Sequence, residues 1–171
     1  MFGSIEAGGT KFVCAVATDD LEIVKRDSFP TTKPEETMKA VLEFFSPYRE
    51  TLKGIGIGSF GPIDIQHESP TYGYITSTPK LDWQQFDFVG KVKKAFPIPV
   101  AWTTDVNAAA YGESVFGNGK GRSSIVYYTI GTGIGGGALQ YGRFIEGFSH
   151  PEMGHMLVNR HPADTYLSLI H

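Results

Sequence analysis

The chain has 171 residues, 41% of them hydrophobic and 19% charged, which suits one ordinary domain or one and a half small ones with a real core and excludes a disordered chain. A formal net charge of −3 gives no basic field to hold nucleic acid, and no apolar run is long enough to cross a bilayer. The one cysteine, Cys14, rules out an internal disulfide and a cysteine-rich zinc site, and it suits a reducing cytoplasm. Met1 leads into Phe2-Gly3-Ser4-Ile5 with no basic start or cleavage pattern, so the expected location is cytoplasmic.

The opening reads as strands around Ile5, Phe12 to Ala17 and Ile23-Val24, broken by Ala7-Gly8-Gly9-Thr10 and by Asp19-Asp20. A helix comes next, with Met38, Val41, Leu42 and Phe45 at i, i+3, i+4 and i+7. Thr32 and Glu35 are spaced as a capping box, Pro34 sits in the first turn, and Pro47 is expected to end the helix. Lys53 to Gly58 alternates as a short strand. From Gly61-Pro62 to Pro79-Lys80 turn residues dominate, and long loops with short strands are expected. Phe86, Val89, Val92 and Phe96 mark a second helix stopped by Pro97; Ile98 to Thr103 reads as a strand, and Ala108 opens a helix running to Phe116. Gly117 to Gly121 is a flexible break, taken as the domain boundary.

After the break the pattern restarts. Ile125 to Ile130, Ile134 to Leu139 and Phe144-Ile145 read as strands, joined by Gly131-Thr132-Gly133 and Tyr141-Gly142. Strand, glycine-threonine turn, strand, turn, strand is thus written twice, as in a duplicated fold. The helices that would cover the second copy would have to come after His161-Pro162. A partly disordered, self-associated or partner-completed second lobe is therefore expected, in a shortened gene product or a fragment.

Glycine is abundant, 21 residues against a usual share of about 7%, and its clusters carry the candidate sites. In Glu6-Ala7-Gly8-Gly9-Thr10-Lys11 the backbone can approach an anion, Thr10 and Lys11 offer a hydroxyl and a charge, and Glu6 can orient a magnesium-bound water. A plain hairpin turn is the competing reading. Gly131-Thr132-Gly133-Ile134-Gly135-Gly136-Gly137 contains G-x-G-x-x-G after a strand, but Gly136 to Gly142 makes a poor helix and a good hairpin arm. A dinucleotide fold, which needs a helix there, is rejected, and a strand–turn–strand phosphate loop remains. Asp105, at a strand-to-helix junction, is either an N-cap or a general base for an attacking alcohol. Thr103-Thr104 could cap in its place. His150-Pro151-Glu152-Met153-Gly154-His155 lacks zinc spacing, since beyond it the chain offers only His161 and His171; Glu152 and His155 suit a polyol.

Together these motifs resemble the sugar kinases of the ROK family, within the actin-like ATPase superfamily and nearest the bacterial fructokinase branch, over nearly the whole chain to about Tyr166. The stretches that carry the likeness are Ile5 to Phe12, Gly58-Ser59-Phe60-Gly61-Pro62, Thr78-Pro79-Lys80, Thr104-Asp105-Val106-Asn107-Ala108-Ala109, Thr129 to Gly135 and Ser149 to His155. The resemblance implies an α/β, actin-like or ribonuclease H-like ATPase fold, with a complete first lobe at residues 1–116 and a truncated second lobe at 117–171. It implies ATP-dependent phosphorylation of a hexose, most simply fructose to fructose 6-phosphate, with Mg²⁺. Glu6, Gly8, Gly9, Thr10 and Lys11 would form the first phosphate site, and Gly131, Thr132, Gly133 and Gly135 the second. Asp105 would be the catalytic base. Gly61, Pro79, Thr104, Asp105, Glu152 and His155 would line the sugar pocket, with Trp83 either at its edge or in the core.

Two positions depart from the family pattern: Thr104 stands where members often carry Asn, and Glu6 where they usually carry Asp. The family also places a zinc cluster after the Glu-x-Gly-His turn, with His155 as one ligand, but the further ligands are missing here and Leu167 to His171 does not match. Members of the family commonly dimerise, so the resemblance allows a homodimer, while the charge and the lack of a long apolar run lead us to expect no nucleic-acid or membrane partner. An inactive sugar-binding remnant is the alternative. A sugar-responsive regulator is a weaker rival, because the first strand is expected within a few residues of Met1 and leaves no room for a DNA-binding segment.

Overall fold

Residues 2–7 and the β-prone run 12–17 flank the Gly8-Gly9 turn, and in the computed structural model, which describes residues 1–131, 133–147, 149–155 and 162–163, they form a hairpin whose burial alternates with the period of a strand. Its arms are β1 (Phe2–Ala7) and β2 (Lys11–Ala17), with Ala7 opposite Phe12. Gly3, Ile5 and Ala7 of β1 and Phe12, Cys14 and Val16 of β2 are buried on one face. β3 (Ile23–Pro30) pairs antiparallel with β2 as an edge strand. Its Lys25, Arg26 and Asp27 are the charges that keep such an edge from pairing with another chain.

Two further strands join in parallel, β4 (Gly54–Ser59) beside β1 and β7 (Val100–Thr104) beside β4. The sheet order is therefore β3-β2-β1-β4-β7. Parallel neighbours need crossovers, and α1 (Pro34–Phe45) and α2 (Phe88–Ala95) lie in them. Met38, Val41, Phe44 and Phe45 of α1, with Phe88, Val89 and Val92 of α2, join Ile5, Phe12, Cys14, Ile55 and Ile57 in one core. Each such large side chain stabilises the fold by about 1.5–3 kcal/mol on burial.

Local chemistry moved several expected boundaries. Thr32 and Glu35 do not form a capping box: Lys33 is the N-cap, extended and without a side-chain cap bond. Pro34 excludes the helical conformation at the residue before it, so the helix starts one residue later than the Thr-x-x-Glu spacing suggests. Thr37 serves this end instead, its Oγ1 accepting the Thr32 N–H at 3.0 Å. Pro47 ends the α-helix, but the chain continues as a 3₁₀ turn, Ser46–Tyr48. Phe86 lies outside the second helix, because β6 (Phe86–Asp87) pairs with β5 (Tyr74–Ile75) and Asp87 Oδ1 then caps α2 by accepting the Gly90 N–H at 2.8 Å.

The chain divides into two compact units, Met1–Asp105 and Val106–His171. The division falls at the start of α3 (Asp105–Val115), whereas the sequence pattern put the break after Phe116. The second unit repeats the antiparallel opening with β8 (Ser124–Ile130), β9 (Ile134–Gln140) and β10 (Arg143–Phe144), in the order β10-β9-β8. The expected continuation after His161 lies outside the described residues, apart from Pro162 and Ala163.

Candidate active site

In the first unit the sheet register gathers the candidate residues. Glu6, Gly58 and Thr103 stand in one row across β1, β4 and β7, and Ala7, Ser59 and Thr104 in the next. All three strands run the same way, so beyond that row the chain leaves the sheet at one end, through Gly8-Gly9, Phe60-Gly61 and Asp105. The carboxyl end of the parallel strands is where open α/β sheets bind ligands.

The glycine hairpin is tight. The Gly8 N–H donates to the Lys11 carbonyl at 3.0 Å, and a Cβ on Gly8 would lie 2.8 Å from that oxygen. Thr31 braces the turn, its hydroxyl donating to the Gly8 carbonyl at 2.7 Å and its N–H to the Thr10 carbonyl at 2.9 Å. Glu6, Gly9, Thr10 and Lys11 are exposed there. Thr104 is buried, and Asp105 is half-buried in the first turn of α3, where a negative charge is favourable.

Gly61 and Pro79 sit on loops that the core fastens. The Pro62 carbonyl accepts from the Thr76 N–H at 2.8 Å and from its hydroxyl at 3.0 Å. Buried Thr78 receives the Gln84 amide on its carbonyl at 2.9 Å. Trp83, open between pocket edge and core in the sequence, is 1% exposed and belongs to the core. Its indole N–H donates to the Thr32 carbonyl at 2.8 Å, and its ring packs 5.2 Å from Phe12 and 5.9 Å from Phe60.

Asp64 was missed by sequence reasoning. Its carboxylate accepts from the Gln66 N–H at 2.9 Å, the Thr71 hydroxyl at 2.6 Å and the Ser69 hydroxyl at 2.5 Å. Burial opposes its ionisation, but these hydrogen bonds outweigh burial and hold the carboxyl below the ordinary aspartate range. It thereby organises the loop beyond Gly61. The available signal was an aspartate shortly before Ser69 and Thr71 in a turn-rich stretch.

In the second unit the glycine run does two jobs. Gly131 closes the β8–β9 turn, its N–H donating to the Gly133 carbonyl at 2.9 Å; Thr132 lies outside the described residues. Gly135 and Gly137 face the start of α3, and a Cβ on Gly137 would stand 2.5 Å from the Val106 carbonyl oxygen. Gly136 faces the opposite way, where its Cβ would meet Met153 Cβ at 2.9 Å, and a Cβ on Gly154 would collide with the Ile134 carbonyl. Close backbone approach therefore seats the Met153–His155 turn on β9. Next to it Glu152 lies 3.5 Å from His150 Nδ1 and 3.4 Å from His155 Nδ1. Burial holds the His150 imidazole below its usual pKa, against the opposing pull of Glu152.

Among the described residues, no group of three or more His, Cys, Asp or Glu side chains is gathered around a possible metal. His161 and His171, weighed as zinc ligands, lie outside them. Glu6 and Asp105 offer the hard carboxylate oxygens that suit Mg²⁺ through its water shell, and the exposed Gly8–Lys11 turn suits a phosphate. No helix of the described residues is long and apolar enough to cross a membrane.

A mixed sheet of this order, with glycine turns and carboxylates at its parallel strand ends and the same strand opening repeated in a second unit, defines an α/β protein of the actin-like ATPase kind. The chain belongs to the ROK family, whose model matches residues 2–165. It is 52% identical to a fructokinase of Streptococcus mutans, over 97% of this chain and 56% of that protein. It is 54% identical to a fructokinase of Lactococcus lactis, over 94% and 53%. A ROK glucokinase from Streptomyces griseus, solved with glucose and AMPPNP, superposes with a TM-score of 0.77 at 28% identity, over 92% of this chain and 51% of that one. A ROK hexokinase from Thermus thermophilus gives 0.75 at 30% identity, over 92% and 53%. The chain thus spans about half the length of the relatives it matches.

Proposed function

We propose that this chain carries the sugar-binding half and both phosphate-binding turns of an ATP-dependent hexose kinase, with fructose phosphorylated at its 6-hydroxyl. The observation that carries the reading is the row of strand ends in the first unit, where Glu6 to Lys11, Gly61 and Asp105 leave one end of the sheet in a chain half identical to fructokinases.

Asp105 accepts the proton of the attacking hydroxyl as its oxygen bonds the transferred phosphorus and the bond from that phosphorus to the diphosphate leaving group breaks. In the first unit Gly61, Pro79 and Thr104 contact the sugar by shape and hydrogen bonds, and in the second Glu152 and His155 offer hydrogen-bonding groups that suit a hexose. Glu152 accepts sugar hydroxyls while His150 and His155 fix its orientation. In the first unit the Gly9 and Thr10 amides and the Lys11 ammonium hold a phosphate at the turn that Gly8 closes, with Glu6 on a metal-bound water; in the second, the turn of Gly131, Thr132, Gly133 and Gly135 is a further phosphate site. When bound, ATP supplies the phosphoryl group and Mg²⁺ lowers its charge density. A cytoplasmic location fits a buried, unpaired Cys14 whose thiol burial pushes up to about 12, too high to react readily.

The test has two arms. In an active form completed by the rest of a family kinase, Asp105→Asn keeps fructose affinity within about threefold and lowers turnover by ~10²-fold or more. Retained turnover removes Asp105 from the mechanism. The 171-residue chain alone binds fructose by calorimetry without kinase turnover of ~1–100 s⁻¹ in a coupled assay. Absence of fructose binding overturns the sugar reading.

A further inference from the structure

One lysine close to the first glycine hairpin has no role in the site as described so far. Lys80 comes after Pro79, and its side chain lies across Gly9, with Cε only 3.3 Å from where a Cβ on Gly9 would stand. The missing side chain at Gly9 is what lets the lysine come so near the turn. Its backbone is fixed from both sides: the Lys80 carbonyl accepts the Trp83 N–H at 2.9 Å, and the Lys80 N–H reaches Thr78 Oγ1 at 3.4 Å. Trp83 and Thr78 are buried, so the lysine stem springs from a rigid loop.

Among the described residues the ammonium has no ion-pair or hydrogen-bond partner. Lys53 pairs with Asp19 and Lys39 with Glu43, whereas Lys80 makes no ion pair or side-chain hydrogen bond among the described residues. A cavity of about 450 Å³ adjoins it, lined by Thr31, Lys33, Glu36, Lys80 and Asp82 among others. Thr31 is the residue that braces the hairpin, so Lys80 stands between this cavity and the glycine turn. The two carboxylates in the cavity do not capture it. A half-buried, anchored cation beside the exposed Gly9-Thr10-Lys11 turn is arranged to meet an anion.

We propose that Lys80 is a second cationic contact, beside Lys11, for a condensed phosphate chain bound at the Gly8–Lys11 hairpin, and that it positions the terminal phosphoryl group. This rests on the kinase reading of the hairpin. It assigns to Lys80 an electrostatic role, where its neighbour Pro79 shapes the sugar pocket.

The probe is inorganic tripolyphosphate, which has the phosphate chain and no base, titrated at low salt into the 171-residue chain, with fructose titrated separately. Lys80→Gln weakens tripolyphosphate about tenfold, Lys80→Arg holds it within about threefold, and Lys33→Gln, across the cavity, changes it less than about twofold. Fructose affinity stays the same in all three, and thermal melts overlay. Equal tripolyphosphate affinity in wild type and Lys80→Gln overturns the proposal. So does a wild-type chain that binds no tripolyphosphate, or a Lys80→Gln chain that loses fructose in its place. Failure of wild type to bind fructose, with the tripolyphosphate differences intact, sinks the sugar reading and leaves Lys80 as an anion contact.

Discussion

The two units open with the same strand order and build different interiors from it. In the first, the β1–β2–β3 meander is extended by β4 and β7, and two helices cover one face with Phe44, Phe45, Phe88 and Val92. In the second, β8 is an edge strand whose Val126, Tyr128 and Ile130 are 53%, 47% and 80% exposed. What is buried there is mostly backbone: Gly136, Gly137, Ala138 and Leu139 lie under α3 on one side and the Met153–His155 turn on the other. One interior is held by the volume of its side chains, the other by the closeness of its main chain. The same supersecondary plan is therefore vulnerable to opposite mutations, deletion in the first unit and addition in the second.

The largest effect belongs to the first interior. Trp83→Ala removes a buried ring from contact with Phe12, Phe60, Phe86 and Phe88 and leaves the Thr32 carbonyl without its indole donor. The expected loss is about 3–5 kcal/mol in urea denaturation. A loss below about 1 kcal/mol would mean that this core can close over the gap, and the contrast would weaken.

Gly137→Ala makes the opposite test. It adds one methyl group where the Val106 carbonyl is 2.5 Å away and the Asn107 nitrogen 2.7 Å. Both neighbours are backbone and cannot rotate aside, so the expected cost is about 1–3 kcal/mol. The cost falls on one unit: hydrogen exchange of β8 and β9 amides accelerates while β1, β2 and β4 keep their protection. Equal acceleration in both units would show that they unfold together and dissolve the comparison.

The same contrast explains how much could be read in the sequence. The first interior is written in periodicity: Met38, Val41 and Phe45 mark the buried face of α1, and Phe12, Cys14 and Val16 that of β2. The strand-end placement of Asp105 and the Gly8-Gly9 turn was legible too, because β-branched runs and glycines bound the strands. Features set by atoms distant in the chain were not. The cap of α1 slipped because Pro34 constrains Lys33, β6 was hidden inside a helical spacing by its pairing with β5, and Asp64 finds Ser69 and Thr71 through a loop without a period. Gly136 and Gly137 read only as part of a hairpin arm, and nothing in their sequence showed that they are small so that the Met153 turn and α3 can lie against β9.

The smallest effect tests the second interior by pH. His150 is 8% exposed, and burial lowers its pKa from the usual 6.5, with Glu152 pulling the other way and His155 also reaching Glu152. The unfolded chain takes up a proton near pH 6.5, while the folded unit resists until the pH is lower. Between those points the unfolded state binds more protons, so stability is full above about pH 6.5 and falls on acidification, by at most about 1.4 kcal/mol per pH unit for one group. Melts of the second unit between about pH 7.5 and 5.5 should therefore shift downward in the wild type, and the part of the shift owed to this residue should vanish in His150→Gln. A wild-type unit that gained stability over that range would mean that the attraction of Glu152 exceeds the cost of burial. His150 would then be a charged partner that stiffens the carboxylate, and the second interior would owe its acid response to the Glu152 pair and not to close packing.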